Sequence, residues 1–99
     1  MIMENGQEED RWVWVVVQDP GGQEQFLGQY DKQEDISFIP TFDSKEDAQQ
    51  CFMNMARQKD SKYEVQAILF EELAKEAAAS SFMIFLLDEA GEVLEKIKP

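Results

Sequence analysis

Cys51 is the one side chain that could serve as a thiolate nucleophile, and the chain holds no second cysteine and no histidine. A thiol attacks as its thiolate, so it needs a neighbouring base or cation to lower its pKa. Without histidine, the Cys-His and Ser-His-Asp arrangements, the two-histidine zinc helix and most proton shuttles are excluded by composition alone. Cys51 also falls on the apolar side of an expected helix, where a lone thiol behaves as a small buried hydrophobe. One cysteine makes no internal disulfide, which fits a reducing cytoplasm, the location expected for this chain.

Carboxylates are the other reactive stock. Asp31, Glu34 and Asp35 crowd one segment, and Asp43, Glu46 and Asp47 another. Such oxygens suit a hard divalent cation, but the calcium-loop spacing with its central glycine is missing. Gly21-Gly22 stands between two strand-like runs rather than at a helix start. Neither G-x-G-x-x-G nor G-x-x-x-x-G-K-[ST] occurs, so no phosphate cradle is expected. The two acidic groups read instead as a solvated loop and a helix start, where the helix dipole favours negative charge. No catalytic, cofactor-binding or metal-binding residue is assigned, and the chain reads as a non-enzyme without cofactors.

The formal charge is −12, and it is lopsided. Residues 1–50 carry 12 acidic and 3 basic side chains, a balance of −9, whereas residues 51–99 carry 9 and 6, a balance of −3. Such a surface repels phosphates and anionic lipid, so direct binding to nucleic acid or membrane is not expected. It suits either a basic protein partner or solubility alone, which most acidic surfaces supply. The first 10 residues are acidic and lack the basic start and apolar stretch of a secretory signal.

These side chains must be positioned by elements that the hydrophobic pattern reveals. Residues 1–10 read as a disordered acidic lead-in, and 11–99 as one α+β domain. Arg11 to Val17 is β-branched and aromatic throughout and reads as a strand. Asp19-Pro20-Gly21-Gly22 turns it into a return strand, Gln25 to Tyr30, in which Gly28 implies a bulge or a close backbone approach. Ile36 to Phe42 is a third strand that Pro40 should place at an edge or end early.

Asp43 and Ser44 compete to cap a helix over 44–58, whose Ala48, Cys51, Phe52, Met55 and Ala56 share one face. Tyr63 to Leu69 alternates as a strand. A second helix over 71–80 carries Phe70, Leu73, Ala74, Ala77 and Ala78 on one side, with Glu71 and Lys75 paired on the other. Phe82 to Leu87 is a continuous apolar strand, and Gly91 takes the left-handed position of a hairpin into a last strand, 92–97. The order is β-β-β-α-β-α-β-β. It predicts a two-layer sandwich: one mostly antiparallel sheet of about six strands with both helices on one face.

That arrangement leaves an excess of apolar surface. Trp12, Trp14 and Val16 lie on one face of the first strand, opposite Val13, Val15 and Val17; Phe82, Ile84 and Leu86 lie opposite Met83, Phe85 and Leu87. Two helices on one side leave the other face bare. Two tryptophans alone, at about 150–250 Å² each, approach the largest patch a typical monomer exposes. Either the acidic lead-in, the hairpin loop or sheet curvature covers this face, or Trp12, Trp14, Val16, Phe82, Ile84 and Leu86 are an interface that docks a protein partner or a second copy in a homodimer, which is the leading expectation. An acidic inhibitor imitating nucleic acid, with Glu24, Asp31, Glu34, Asp35, Asp43 and Asp47 as phosphate substitutes, is the alternative function. A carboxylate enzyme with a bound metal comes last.

The block Phe38-Ile39-Pro40-Thr41-Phe42-Asp43-Ser44-Lys45-Glu46-Asp47-Ala48, a strand closing in phenylalanine before an Asp-Ser helix start, resembles the small α/β domains of the SseB N-terminal type. With the Glu71-Glu72-Leu73 helix and the Phe85-Leu86-Leu87-Asp88-Glu89 hairpin, it is also similar to short uncharacterised bacterial and plastid domains. The resemblance covers roughly residues 11–97 in order of elements. It implies a compact sheet-and-helix module without an established catalytic centre, and carries no functional residue across.

Overall fold

Trp12–Gln18 forms β1, a strand buried on both faces over Val15, Val16 and Val17. It is followed by β2 (Gln25–Phe26), β3 (Gln29–Asp31) and β4 (Ile36–Thr41), then α1 (Lys45–Phe52), β5 (Tyr63–Leu69), α2 (Phe70–Ala79), β6 (Met83–Leu87) and β7 (Val93–Ile97). The computed structural model describes residues 11–55 and 60–99; the expected acidic lead-in and the far end of the first expected helix, Ala56 included, lie outside them. The fold is α+β, as the pattern predicts.

The strands form two sheets rather than one. β1 is the centre of an antiparallel sheet ordered β2-β1-β5, and a second sheet is ordered β3-β4-β6-β7, in which only β4 and β6 run parallel. The division comes from the return strand, which breaks after two residues so that its first part pairs with β1 and its second with β4. Gly28 sits at the break. A Cβ there would stand 2.6 Å from the Phe82 ring, so the close approach anticipated at this glycine is real. The two sheets are stitched where Trp14 and Phe42 exchange backbone hydrogen bonds of 2.8 Å in each direction.

The helices lie on opposite faces, which corrects the expected two-layer arrangement. Leu73 and Ala77 of α2 pack with Val13, Val15, Val17, Ile39 and Ile84. Ala48 and Cys51 of α1 pack with Phe42, Phe85 and Leu87, against which Trp14, Phe38 and Val65 also lean. Strand alternation divides these sets: successive side chains of β1 and β6 point to opposite sides, and each side has its own helix. Strands that are apolar on both faces thus have cover on both faces, the usual condition of interior strands. Phe38 stacks on Phe85 at 4.2 Å between ring centres.

β4 is an interior strand despite Pro40. Phe42 directs its N–H at β1, so by alternation the nitrogen of Pro40 faces the same way. On that side pairing with β3 has ended at Phe38 and the bridge to β1 starts at Phe42. The missing donor therefore falls in a gap between partners, and no ladder bond is lost.

Ser44 wins the capping position of α1: its side chain accepts the Asp47 N–H at 3.1 Å. The regular helix ends at Phe52, where Asn54 and Met55 bond three residues back in a tighter turn. α2 begins without a side-chain cap, but the Arg11 carbonyl accepts the Phe70 N–H at 2.8 Å. The α2 terminus is a Schellman motif: Phe82 N–H bonds to the Ala77 carbonyl and Ser81 N–H to that of Ala78. Its left-handed position is held by Ser81 at φ +61°, a conformation that costs an L-residue about 1–2 kcal/mol. Ser81→Gly should relieve more than the roughly 0.5–1 kcal/mol of chain entropy that glycine adds, and so raise Tm by a few degrees. An unchanged or lower Tm in a thermal melt would show the strain to be absent. Gly91 occupies the corresponding hairpin position at φ +87°, as expected.

Candidate functional site

The six residues expected to form one interface are distributed over both faces. Val16, Ile84 and Leu86 are buried, and Trp14 and Phe82 are half-buried. Trp14 belongs to the α1-side core and Phe82 and Ile84 to the α2 side, so α1 occupies the face that was expected to be bare. Trp12 alone is well exposed, at 58%. The physical reason is the split of the helices: once each face has a helix, an apolar strand face is core rather than surface. The Lys45 ammonium stands 5.9 Å from the centre of the Trp14 ring and covers part of it.

Cover is nevertheless incomplete on the α2 side. α2 has only 10 residues, about 15 Å of helix. It seats Leu73 and Ala77 over Val13, Val15 and Ile84, and leaves open the part of the three-stranded sheet that runs from Phe26 of β2 across Val17 to Ile68 of β5. A groove of about 630 Å³ results. Its floor is Val17, Ile39, Ile68, Phe26 and Phe82 with one polar member, Gln66, and its one helical wall presents Glu72, Lys75 and Glu76, with Ser80 at the cap of α2. Glu24 and Gln25 close the opposite rim. Phe26 and Phe82 continue into a second hollow of about 620 Å³ that runs past Gly28 towards Tyr30 and Tyr63. Phe82 is thus the one member of the expected interface that lines these grooves.

The carboxylates named as phosphate substitutes are engaged locally. Glu24 accepts the Gly21 N–H at 2.6 Å, and Asp31 accepts N–H groups from Gln33 and Glu34. Glu34 pairs with Lys96 at 2.9 Å, Asp43 pairs with Arg11 at 3.4 Å, and Asp35 accepts the Tyr30 hydroxyl. That last bond, with burial and the charge of Asp31 behind it, pushes the Tyr30 phenol above its ordinary pKa. The ion pair expected between Glu71 and Lys75 is not formed; both side chains are exposed.

Cys51 is 5% exposed and packs among Phe42, Ala48, Phe85 and Leu87. Burial, and secondarily the charge of Asp88, pushes its thiol above the ordinary value, the reverse of what a nucleophile needs. A Cβ on Gly91 would stand 3.4 Å from its sulfur. No helix among the described residues is long and apolar enough to cross a membrane. The groove beside α2 was not legible in the sequence, because its floor joins residues from four strands and its shape depends on how far a short helix reaches.

No protein-family model, curated protein or solved structure matches this chain.

Proposed function

We propose that this chain is a non-enzymatic protein-interaction module that receives its partner in the groove beside α2. The observation that carries this reading is the open part of the three-stranded sheet, where Val17, Phe26, Ile68 and Phe82 floor a groove with a helix on one side only. A floor of mainly aliphatic and aromatic side chains, with Gln66 the polar exception, within a polar rim is the anatomy of a protein-binding patch. A self-associating module has less support, because a second copy would bring another −12 of charge to an already acidic rim. The nucleic-acid mimic also has less support, since five of its six carboxylates are tied to separate local partners rather than set in one free row. A cytoplasmic setting and the SseB-type resemblance belong to the same reading; the single cysteine supports the first and the Phe38 to Ala48 block the second.

Selection of the full chain against a random peptide library tests the proposal. Enriched peptides should carry apolar residues at regular spacing, and Ile68→Lys should abolish their binding while leaving the circular dichroism spectrum unchanged. Ile68 is half-buried at the groove floor, where a lysine can extend into the opening. No enrichment, or binders indifferent to Ile68→Lys, would reject the groove as the docking site.

A further inference from the structure

We infer that the occupant of this groove is an amphipathic helix whose apolar face is bordered by lysine or arginine; the inference rests on the protein-interaction reading and specifies its partner. Two observations select a helix. The floor is a sheet face that runs from Phe26 of β2 across Val17 of β1 to Ile68 of β5, so an occupant lying on it meets side chains standing up from the strands. Covering such a face beside an existing helix is what a second helix does in layered α and β packing. The wall offers the matching geometry: Glu72 and Glu76 lie one turn apart on one stripe of α2, and Ser80 follows at its cap.

Charge selects the border. Glu24 stands on one rim and Glu72 and Glu76 on the other, with Lys75 the only cation among the lining residues. All four are exposed, so their carboxylates and ammonium reach the margins of the groove rather than its floor. A helix with basic residues on both flanks therefore meets a net negative charge on each side, while an acidic helix is repelled by both rims and by the −12 of the whole chain.

Three synthetic helices with the same Leu-rich face, flanked by Lys, Gln or Glu, provide the test in titrations of the isotope-labelled full chain followed by amide chemical shifts. The Lys-flanked helix should bind about tenfold more tightly than the Gln-flanked one at low salt, and the preference should shrink as salt rises. Shifts should concentrate at Val17, Phe26, Ile68 and Phe82. Glu72→Gln combined with Glu76→Gln should diminish the preference for the Lys-flanked over the Gln-flanked helix. Equal affinity for the Lys- and Gln-flanked helices, with shifts in the groove, would overturn the inference and leave the docking site standing. Binding of the Lys-flanked helix mapped away from the groove would also overturn it. No binding by any of the three would remove both.

Discussion

Phe85→Ala is expected to lower stability by about 3–5 kcal/mol, a large share of the roughly 5–15 kcal/mol available to a domain of this size. Phe85 is 1% exposed in the interior strand β6, with β4 on one side and β7 on the other. Its ring stacks on Phe38 at 4.2 Å with planes 14° apart, and the Lys96 ammonium stands 5.2 Å from its centre. Truncation removes the transfer energy of the ring and leaves a cavity that Phe42, Leu87 and the α1 side chains Ala48 and Cys51 would have to collapse into. They are held by a cap at Ser44 and by the Trp14–Phe42 bridge, so collapse should be partial and the cost near the upper end. Urea unfolding measures it: the midpoint should fall with little change of slope. A loss under about 1 kcal/mol would mean that the α1-side core is loosely packed.

The sequence pattern is most legible where local rules decide the outcome. β5 matches its expected range residue for residue, because its alternation and flanking polar residues act within the strand itself. Gly28 and Gly91 were readable for the same reason: one has no room for a Cβ and the other sits at positive φ. The placement of the helices was not readable. β1 and β6 showed that both faces needed cover, but which face receives α1 depends on the path from Phe42 through Ser44, a matter of tertiary packing. Three of the six interface candidates were misplaced at that step. Val16, Ile84 and Leu86 were correctly apolar and wrongly placed on a bare surface. The acidic segments are largely solvated, as their composition suggests; Asp31 and Asp35 find partners within five residues, but Lys96 for Glu34 and Arg11 for Asp43 stand 62 and 32 residues away and leave no local trace.

Leu73→Ala is expected to cost about 2–5 kcal/mol, and its consequences differ from those of Phe85→Ala because the two residues belong to opposite cores. Leu73 is fully buried where α2 meets Val13, Val15 and Ile84, and with Ala77 it is one of only two buried side chains by which this 10-residue helix is seated. Neighbouring alanines at 74 and 78 contribute little area, and Phe70, the one other large side chain of α2 on this core, is only half-buried at the start of the helix. The wall of the groove should loosen with it: binding of a basic amphipathic helix should weaken in Leu73→Ala, at temperatures where the variant is still folded. A milder α1-side change, Phe85→Leu, should leave that binding unaltered. Combined, Leu73→Ala and Phe85→Leu should show stability losses that add to within about 0.5 kcal/mol, as independent sites do. Denaturant titration of the two single variants and the double one decides the point. A coupling well above that value would mean that the sheet transmits strain between its faces, and the two cores would then have to be treated as one.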